Sequence, residues 1–249
     1  MAPFTIEYVL VLIGAFLLSL FLTPIVRFIA FRVGAVDNPN TRRVNEVPMP
    51  SSGGLAIFLA FLMSSLIFMP MVLKQPIWTI SYFDYILPVV IGGFIITATG
   101  FIDDIYELKP KTKMAGIILG AVIVWAFTDF RFDSFKIPFG GPLLQFNSVV
   151  TFFLTVFWII SITNAMNLID GLDGLVSGVS IISLITMALV SYFFLPQTDF
   201  YLTLSILLLI ACIAGFFPYN YNPAIIFFVD FGALFLGFMF GVLSLQVLK

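Results

Sequence analysis

Carboxylate and amide side chains are clustered between long apolar segments of this sequence, in places where hydrocarbon could not solvate them. The densest cluster is the stretch Asn164-Ala-Met-Asn-Leu-Ile-Asp-Gly-Leu-Asp-Gly-Leu175. If it continues a helix, Asn164, Asn167 and Asp170 recur at helical spacing on one face and could reach a metal ion and a nucleotide. The alternative is a turn rich in Asn and Asp, which the two Asp-Gly pairs favour.

A second cluster is the adjacent acid pair Asp103 and Asp104, directly after an apolar run. Neighbouring carboxylates repel each other unless they share a cation or a proton. Three lysines follow within ten residues of Asp103, namely Lys109, Lys111 and Lys113. Acids beside a basic run suit a site that holds Mg²⁺ together with several phosphates. The alternative is a solvated loop whose charges only set the membrane topology.

A third candidate is Asp230, a single acid between Val229 and Phe231 at the mouth of another apolar run. An isolated carboxylate in such a place is costly unless a cation meets it. Among the single acids in the chain, Asp230 is therefore the hardest to explain without a function, and it is the strongest candidate ligand for a cation.

The fourth polar stretch contains Arg42 and Arg43 within a proline-rich connection that ends at Gly53-Gly54. The planar guanidinium group matches phosphate oxygens with two parallel hydrogen bonds, so this pair could receive phosphate. The alternative is that both arginines anchor the chain to lipid headgroups on the cytoplasmic side.

The elements that must position these clusters are hydrophobic. Of the 249 residues, 61% are hydrophobic and 10% are charged, whereas soluble domains average about 45–50% and about 25%. Apolar runs close to the roughly 20 residues that cross a bilayer predict an all-α fold, a polytopic transmembrane helix bundle of about eight spans. The predicted spans lie near 8–30, 53–73, 86–102, 115–128, 147–163, 174–195, 201–217 and 232–248.

One connection has a different pattern. Residues 131–146 alternate polar and apolar side chains around Gly140-Gly141, which predicts a short β-hairpin on the outer face. No fixed-period repeat or low-complexity linker divides the sequence. Residues 1–249 are therefore predicted to form a single integral membrane domain.

The orientation follows from the basic residues. Short connections rich in Lys and Arg stay in the cytoplasm. One set of alternate connections contains seven basic residues: Arg27, Arg32, Arg42, Arg43, Lys109, Lys111 and Lys113. The opposite set contains four, Lys74, Arg131, Lys136 and Lys249, so the first set is predicted to be cytoplasmic. With an even number of spans, this places the N-terminus outside a cell membrane that the chain crosses several times. The predicted cytoplasmic loops are 31–52, 103–114, 164–173 and 218–231.

The sequence also argues against several kinds of chemistry. It has no histidine, so it offers no imidazole base and no His metal site. It has no glycine-rich Walker loop, which removes support for an ATP-driven pump. A transporter with an acidic site at the membrane midplane is disfavoured, because the acids cluster at one interface. No nucleic-acid partner is predicted.

Four motifs, in order along the chain, resemble the polyprenyl-phosphate N-acetylhexosamine-1-phosphate transferases, a glycosyltransferase 4 type of enzyme. The third motif is most similar to the branch that starts the teichoic acid linkage unit in Gram-positive bacteria. The motifs are Asp37-Asn-Pro-Asn-Thr-Arg-Arg with Pro50 to Gly54, Gly100-Phe-Ile-Asp-Asp104 with Lys113, Asn164 to Leu175, and Asn222-Pro-Ala with Asp230 and Gly232.

The resemblance implies a reaction and its partners. N-acetylglucosamine 1-phosphate would be transferred from UDP-N-acetylglucosamine to undecaprenyl phosphate with release of UMP, as the first step of a lipid-linked cell-wall polymer. The implied cofactor is Mg²⁺, with Mn²⁺ as a substitute. The partners would be a UDP-N-acetylhexosamine, a polyprenyl phosphate and the membrane, with the active face cytoplasmic and a homodimer as one oligomeric alternative.

The resemblance also implies residue roles. Asp230 and Asn167 would bind Mg²⁺, and Lys113 would contact the pyrophosphate. Asp103 would serve the lipid phosphate as a base or positioning group, with Asp104 supporting it. The residues implied near the nucleotide are Asn164, Asp170, Asp173 and Phe227, the last by stacking on uracil. Weaker phosphate or sugar contacts would come from Arg42 and Arg43.

The chain departs from the family pattern at several positions. Asn45 stands where the family has His, and Val229 and Phe231 flank the acid that the family flanks with Gly and Thr. Further C-terminal spans of the family are also expected to be missing, so a shortened or altered member is expected. A non-catalytic or engineered protein on the same scaffold therefore stays open as the alternative function.

Overall fold

The computed structural model describes residues 6–37, 48–70, 80–106, 108–137, 140–195 and 200–247. Helices dominate these ranges, and a π-helical turn, Ser64–Phe68, continues the second helix. The helices are α1 (Ile6–Val33), α2 (Gly53–Met63), α3 (Ile80–Tyr106), α4 (Pro110–Phe127), α5 (Ser148–Ile169), α6 (Leu175–Phe194), α7 (Phe200–Asn220) and α8 (Val229–Val247).

Seven of these helices are long and apolar enough to cross a membrane. The exception is the second, which reaches only from Gly53 to Phe68 even with its π-helical turn. Hydrocarbon offers no partner to backbone N–H and C=O groups, so a spanning segment must satisfy them internally as a helix does. The predicted all-α polytopic bundle is confirmed, and each of the eight predicted apolar runs coincides with a helix over its described residues.

Two short antiparallel ladders interrupt the helices. β3 (Ser134–Lys136) pairs with β4 (Leu143–Gln145), with Phe135 opposite Leu144. This confirms the predicted hairpin between the fourth and fifth helices. The other ladder joins β1 (Val36–Asp37) to β2 (Met49–Pro50) immediately before α2.

The last helix, α8, is the centre of the bundle. It packs against α5, α3, α2 and α6, and 78% of its span is buried. Glycines allow this close packing, as in other membrane helix pairs. A Cβ on Gly237 would lie 2.6 Å from the Cα of Thr163 in α5, and a Cβ on Gly54 would collide with the backbone of Gly232. The helix that begins at Asp230 is therefore held from several sides.

The helices extend further than the apolar runs. α3 continues through Asp103 and Asp104, and α5 continues through Asn164 and Asn167. The segments predicted as loops 103–114 and 164–173 are thus largely helical, and the turn of the third motif is limited to 170–174. A helix forms its backbone hydrogen bonds equally well in the membrane and in water. The end of an apolar run therefore shows where the chain leaves the hydrocarbon, but not where the helix ends.

Candidate active site

The ammonium group of Lys113 lies between two carboxylates from different helices. Its Nζ is 3.0 Å from Oδ2 of Asp103 and 2.7 Å from Oδ1 of Asp230. The exposed fractions of the three side chains are 18% for Lys113, 9% for Asp103 and 32% for Asp230. Charge-assisted pairs in such partly enclosed surroundings are stronger than pairs at a free surface. The end of α3 and the starts of α4 and α8 therefore meet at one point.

The turn between α3 and α4 sets this geometry. The backbone N–H of Leu108 donates to Oδ1 of Asp103 at 2.8 Å, which fixes the carboxylate as the chain reverses. Pro110 then occupies the first position of α4, where its missing N–H costs nothing and its fixed φ suits a helix. The N–H of Lys113 donates to the carbonyl of Lys109 at 3.3 Å. The first turn of α4 thus places Lys113 beside Asp103.

Asp104 is the least satisfied member of the cluster. Both of its carboxylate oxygens are buried and make no hydrogen bond of good geometry among the described residues, although the backbone amide of Phe231 is close enough to interact with them. Its charge interacts with those of Asp103, Asp230 and Lys113. One helical turn earlier, Gly100 is so close to α8 that a Cβ there would lie 2.7 Å from the Cα of Phe231. A buried carboxylate with so little compensation is costly, so this position favours a cation or a proton.

Asp170 joins the cluster from the end of α5. Burial is the main cause that raises the pKa of its carboxyl to about 7, and the charge of Asp230 raises it further, while the backbone amide of Val229 lowers it. Lys113 thus interacts with Asp103, Asp104 and Asp230, and Asp170 interacts in turn with Asp230. Even when Asp170 is half-protonated near neutral pH, the negative charge of the carboxylates in this cluster exceeds the positive charge of Lys113.

The chemistry of these side chains fits Mg²⁺. Carboxylate oxygens in excess over positive charge are the ligands that a hard divalent cation prefers, and the buried oxygens of Asp104 make no hydrogen bond of good geometry to the part of the chain that the structure describes. No group of three or more His, Cys, Asp or Glu side chains stands at metal-binding geometry within the described ranges. Because Lys113 separates Asp103 from Asp230, a cation shared by these two acids would require the ammonium to move.

The third motif contributes Asp173 to a different contact. Its Oδ2 accepts a hydrogen bond from the backbone N–H of Ala224 at 3.0 Å and one from Nδ2 of Asn222 at 3.3 Å. Both donors belong to the connection between α7 and α8. Asp173 thus ties the turn before α6 to the segment that leads to Asp230.

Phe227 lies in the same connection and is held by its backbone. Its N–H donates to the carbonyl of Pro50 at 2.9 Å, and its carbonyl accepts from the N–H of Gly53 at 3.1 Å. Its side chain is half-buried. The first and fourth motifs, far apart in sequence, are therefore adjacent in space.

Val229 has a φ of 49°, the one positive φ at a non-glycine residue in the part of the chain that the structure describes. A β-branched side chain is strained there, whereas glycine is not. The departure from Gly that the sequence shows at this position therefore has a structural cost, directly before Asp230.

The remaining predicted residues make no described contact with the Lys113 cluster. Asn164 donates its Nδ2 to the carbonyl of Ile160 at 2.9 Å, within its own helix. Asn167 is half-buried on the same helix and makes no hydrogen bond to Asp230 within the described ranges. Arg42 and Arg43 lie outside the described residues.

Two contributors to the site geometry were not predicted from the sequence. Asn220, buried at the end of α7, accepts from Oγ of Ser177 at 2.8 Å and donates to the carbonyl of Ile226 at 3.2 Å. Gly100 sets the approach of α3 to α8. An amide directly after an apolar run is the signal that could have identified Asn220, whereas the role of Gly100 depends on a contact that its own helix does not encode.

Comparison with known proteins identifies close relatives. A probable undecaprenyl-phosphate N-acetylglucosaminyl 1-phosphate transferase of Bacillus subtilis (strain 168) is 40% identical over 241 residues, which is 96% of this chain and 63% of that protein. A decaprenyl-phosphate N-acetylglucosaminephosphotransferase of Mycolicibacterium smegmatis is 34% identical over 245 residues, 96% of this chain and 59% of that protein. A phospho-N-acetylmuramoyl-pentapeptide-transferase of Streptococcus agalactiae is 30% identical over 94% of this chain and 71% of that protein.

The chain thus spans about 60% of the length of the first two of these relatives. A family model described as Glycosyl transferase family 4 matches residues 86–248, from within α3 to the end of α8. This region contains the Lys113 cluster and both of the later motifs. Because the match covers more than half of the sequence, the chain belongs to glycosyl transferase family 4, which confirms the family resemblance of its motifs.

Proposed function

We propose that this protein transfers N-acetylglucosamine 1-phosphate from UDP-N-acetylglucosamine to undecaprenyl phosphate and releases UMP. The observation that supports this proposal most is the cluster in which Lys113 stands between Asp103 and Asp230, with the buried carboxylate of Asp104 beside them. Relatives named for transfer of N-acetylglucosamine phosphate to undecaprenyl or decaprenyl phosphate support the same substrates.

The proposed step is a substitution at phosphorus. An oxygen of the lipid phosphate forms a bond to the β-phosphorus of the sugar nucleotide, and the bond from that phosphorus to the bridging oxygen breaks. The electron pair leaves with that oxygen on UMP. Two anionic phosphates must approach each other, so catalysis consists mainly of positioning and of neutralising charge. A cluster that combines acids with an ammonium group suits both tasks.

Asp103 would orient the lipid phosphate or accept its remaining proton, since the second pKa of a phosphate monoester is about 6. Asp104 would support it from the next position of α3. Mg²⁺, when bound, would neutralise the pyrophosphate, and Asp230 and Asn167 would hold it. Lys113 would contact the pyrophosphate, which requires its ammonium to exchange a carboxylate partner for phosphate oxygens.

The nucleotide is assigned to the side of the cluster formed by the third and fourth motifs. Phe227 would stack on uracil, and Asn164, Asp170 and Asp173 would line the same side. Asp173 uses Oδ2 for its contacts with the connection, so its other oxygen is the one that would face the nucleotide. Arg42 and Arg43 would add phosphate or sugar contacts.

The proposal includes a cellular setting. The protein would lie in the plasma membrane with its N-terminus outside and the cluster on the cytoplasmic face, where UDP-sugars are available. The reaction would start a lipid-linked cell-wall polymer such as teichoic acid. Mn²⁺ is the proposed substitute for Mg²⁺, and a homodimer is one oligomeric alternative.

The test is release of uridine-labelled UMP by the purified protein with undecaprenyl phosphate and Mg²⁺. We expect turnover that Asp230→Asn reduces by at least about 10²-fold, the usual effect of removing a charged group that acts on the transition state. The matched control is Asp133→Asn, a carboxylate beside the hairpin strand β3. Turnover no higher than that of the Asp230 variant would refute the proposal.

The second candidate is a non-catalytic member of the family. The strained backbone of Val229 next to Asp230 favours it, because added bulk stands where a nucleotide must approach. Calorimetry with UDP and Mg²⁺ separates the two cases. Absence of both Mg²⁺-dependent UDP binding and turnover would support the non-catalytic function, whereas tight Mg²⁺-dependent binding would argue against it and UMP release would exclude it.

A further inference from the structure

The connection between α7 and α8 is held at each of four consecutive residues, by groups from several helices. Asp173 accepts the amide of Ala224 at 3.0 Å. The carbonyls of the next two residues also have side-chain donors, and the backbone of Phe227 pairs with the strand before α2. The two side-chain donors are Arg27, whose Nε lies 3.1 Å from the carbonyl of Ile225, and Asn220, whose Nδ2 lies 3.2 Å from that of Ile226.

The chain between this connection and Asp230 is short and its conformation is fixed. Two residues separate Phe227 from Asp230, and the first of them, Phe228, is buried against the ring of Phe216 at 5.1 Å between centroids. The second, Val229, already has the conformation that turns the chain into α8. A displacement of the connection would therefore be passed on to the Asp230 carboxylate and to the Phe227 ring.

Among the side chains that hold the connection, Asp173 is the acceptor, whereas Arg27 and Asn220 donate. Hydrogen bonds to a charged group are about twice as strong as neutral ones. Asp173 also binds two donors with one oxygen, Ala224 N–H and Asn222 Nδ2. Loss of this oxygen would free both donors at once.

We propose that Asp173 is a positioning residue, which fixes the connection and through it sets Phe227 and Asp230 for the reaction. The family resemblance implies only a nucleotide contact for this residue, whereas the geometry assigns it a contact within the protein. The consequence for turnover rests on the proposed function, but the contact itself does not.

The test is hydrogen–deuterium exchange of peptides that cover residues 221–228, measured on the protein in detergent without nucleotide. In Asp173→Ala, the Ala224 amide should exchange roughly tenfold faster or more, because a hydrogen bond to a charged group is lost. Asp173→Asn is the matched variant, since its amide oxygen can still accept, and its exchange should stay within about threefold of the original. Unchanged exchange in Asp173→Ala would overturn the proposal.

A folding defect would not remove the test. If Asp173→Ala does not give a monodisperse protein, Asp173→Ser replaces it, because a serine hydroxyl is too short to reach the Ala224 amide from the same backbone position. Faster exchange confined to residues 221–228 supports positioning. Faster exchange spread over α6 and α7 as well would contradict it, since that pattern reports general destabilisation.

Binding of UDP with Mg²⁺ separates this proposal from a purely direct nucleotide contact. Positioning predicts that Asp173→Asn keeps affinity within about threefold while Asp173→Ala loses roughly tenfold, in parallel with the exchange rates. Equal loss of affinity in both variants with native exchange would assign Asp173 to the nucleotide alone and overturn the proposal. If the protein does not turn over at all, the exchange experiment still decides the positioning contact.

Discussion

Replacing Gly100 by alanine adds one methyl group at the contact between α3 and α8. The new Cβ would lie 2.7 Å from the Cα of Phe231, 3.0 Å from its N and 3.2 Å from the carbonyl oxygen of Asp230. All three neighbours are backbone atoms, which a side-chain rotation cannot move. Since carbon atoms pack at about 3.5 Å, the two helices must separate by about 0.8 Å at this point.

This separation acts on the reacting groups. Asp103 and Asp104 follow Gly100 on α3, and Asp230 is the residue before Phe231, so the two halves of the cluster move apart. A displacement of about 1 Å costs about 10²-fold in rate, and we expect Gly100→Ala to lower kcat roughly 10- to 100-fold. Overpacking should also destabilise the protein by about 1–3 kcal/mol.

The assay is UMP release together with thermal unfolding in detergent, and Gly178→Ala is the matched control. Gly178 lies in α6, where a Cβ would meet nothing within 4 Å, so alanine should keep full activity and gain about 0.5–1 kcal/mol of helix stability. If Gly100→Ala is as active and as stable as Gly178→Ala, the close approach of α3 and α8 does not set the site.

Three other substitutions test the electrostatics and the strain. Lys113→Gln should lower the Tm without Mg²⁺ and increase the rise in Tm that Mg²⁺ produces, because Asp103 and Asp230 lose their ammonium partner; an unchanged Mg²⁺ effect would contradict this. Val229→Gly should stabilise the protein by up to about 1 kcal/mol, the left-handed strain less the entropy of glycine, and a lower Tm would refute the strain. The folded pKa of about 7 at Asp170 lies above its usual value of about 4, so the unfolded chain releases this proton first and stability should fall as pH rises from about 4 to about 7. Asp170→Asn should flatten that decline in unfolding scans against pH, and an equal slope would show that Asp170 does not cause it.

The helices were predictable because the bilayer imposes a strong pattern. A segment in hydrocarbon must be apolar and must satisfy its own backbone, so each apolar run, such as that near 86–102, identifies a helix. The ends were not predictable in the same way. α5 continues to Ile169 through polar residues, because a helix has no need of apolar side chains once it leaves the hydrocarbon.

The candidate site was predictable in its membership but not in its contacts. The sequence places Asp103, Lys113 and Asp230 on one side of the membrane, since Asp103 follows a run that enters the cytoplasm and Lys113 and Asp230 precede runs that leave it. It does not reveal that Lys113 bridges the two acids, because this depends on how α4 and α8 pack against α3. For the same reason Asp173 was assigned to the nucleotide, although its observed partners are in the protein.

Val229 is a residue for which the sequence pattern and the backbone conformation give different information. The resemblance to the family identified Val229 as standing where a glycine is expected, but the sequence alone did not show what this substitution costs. The structure supplies that cost, a φ of 49° at a β-branched residue. Backbone angles in irregular connections depend on tertiary contacts on both sides, here those of Phe227 and α8, and no local pattern encodes them.

The most direct test of the proposed function is mass spectrometry of the lipid products after the protein has been incubated with UDP-N-acetylglucosamine, undecaprenyl phosphate and Mg²⁺. The mechanism predicts a lipid that has gained one N-acetylglucosamine 1-phosphate, formed in equal amount to UMP and reduced at least about 10²-fold with Asp230→Asn. UMP without this lipid would show hydrolysis in place of transfer. A lipid that stays unchanged, while the protein is folded and its substrates are intact, would contradict the assignment of the Lys113 cluster as the active site of a transferase.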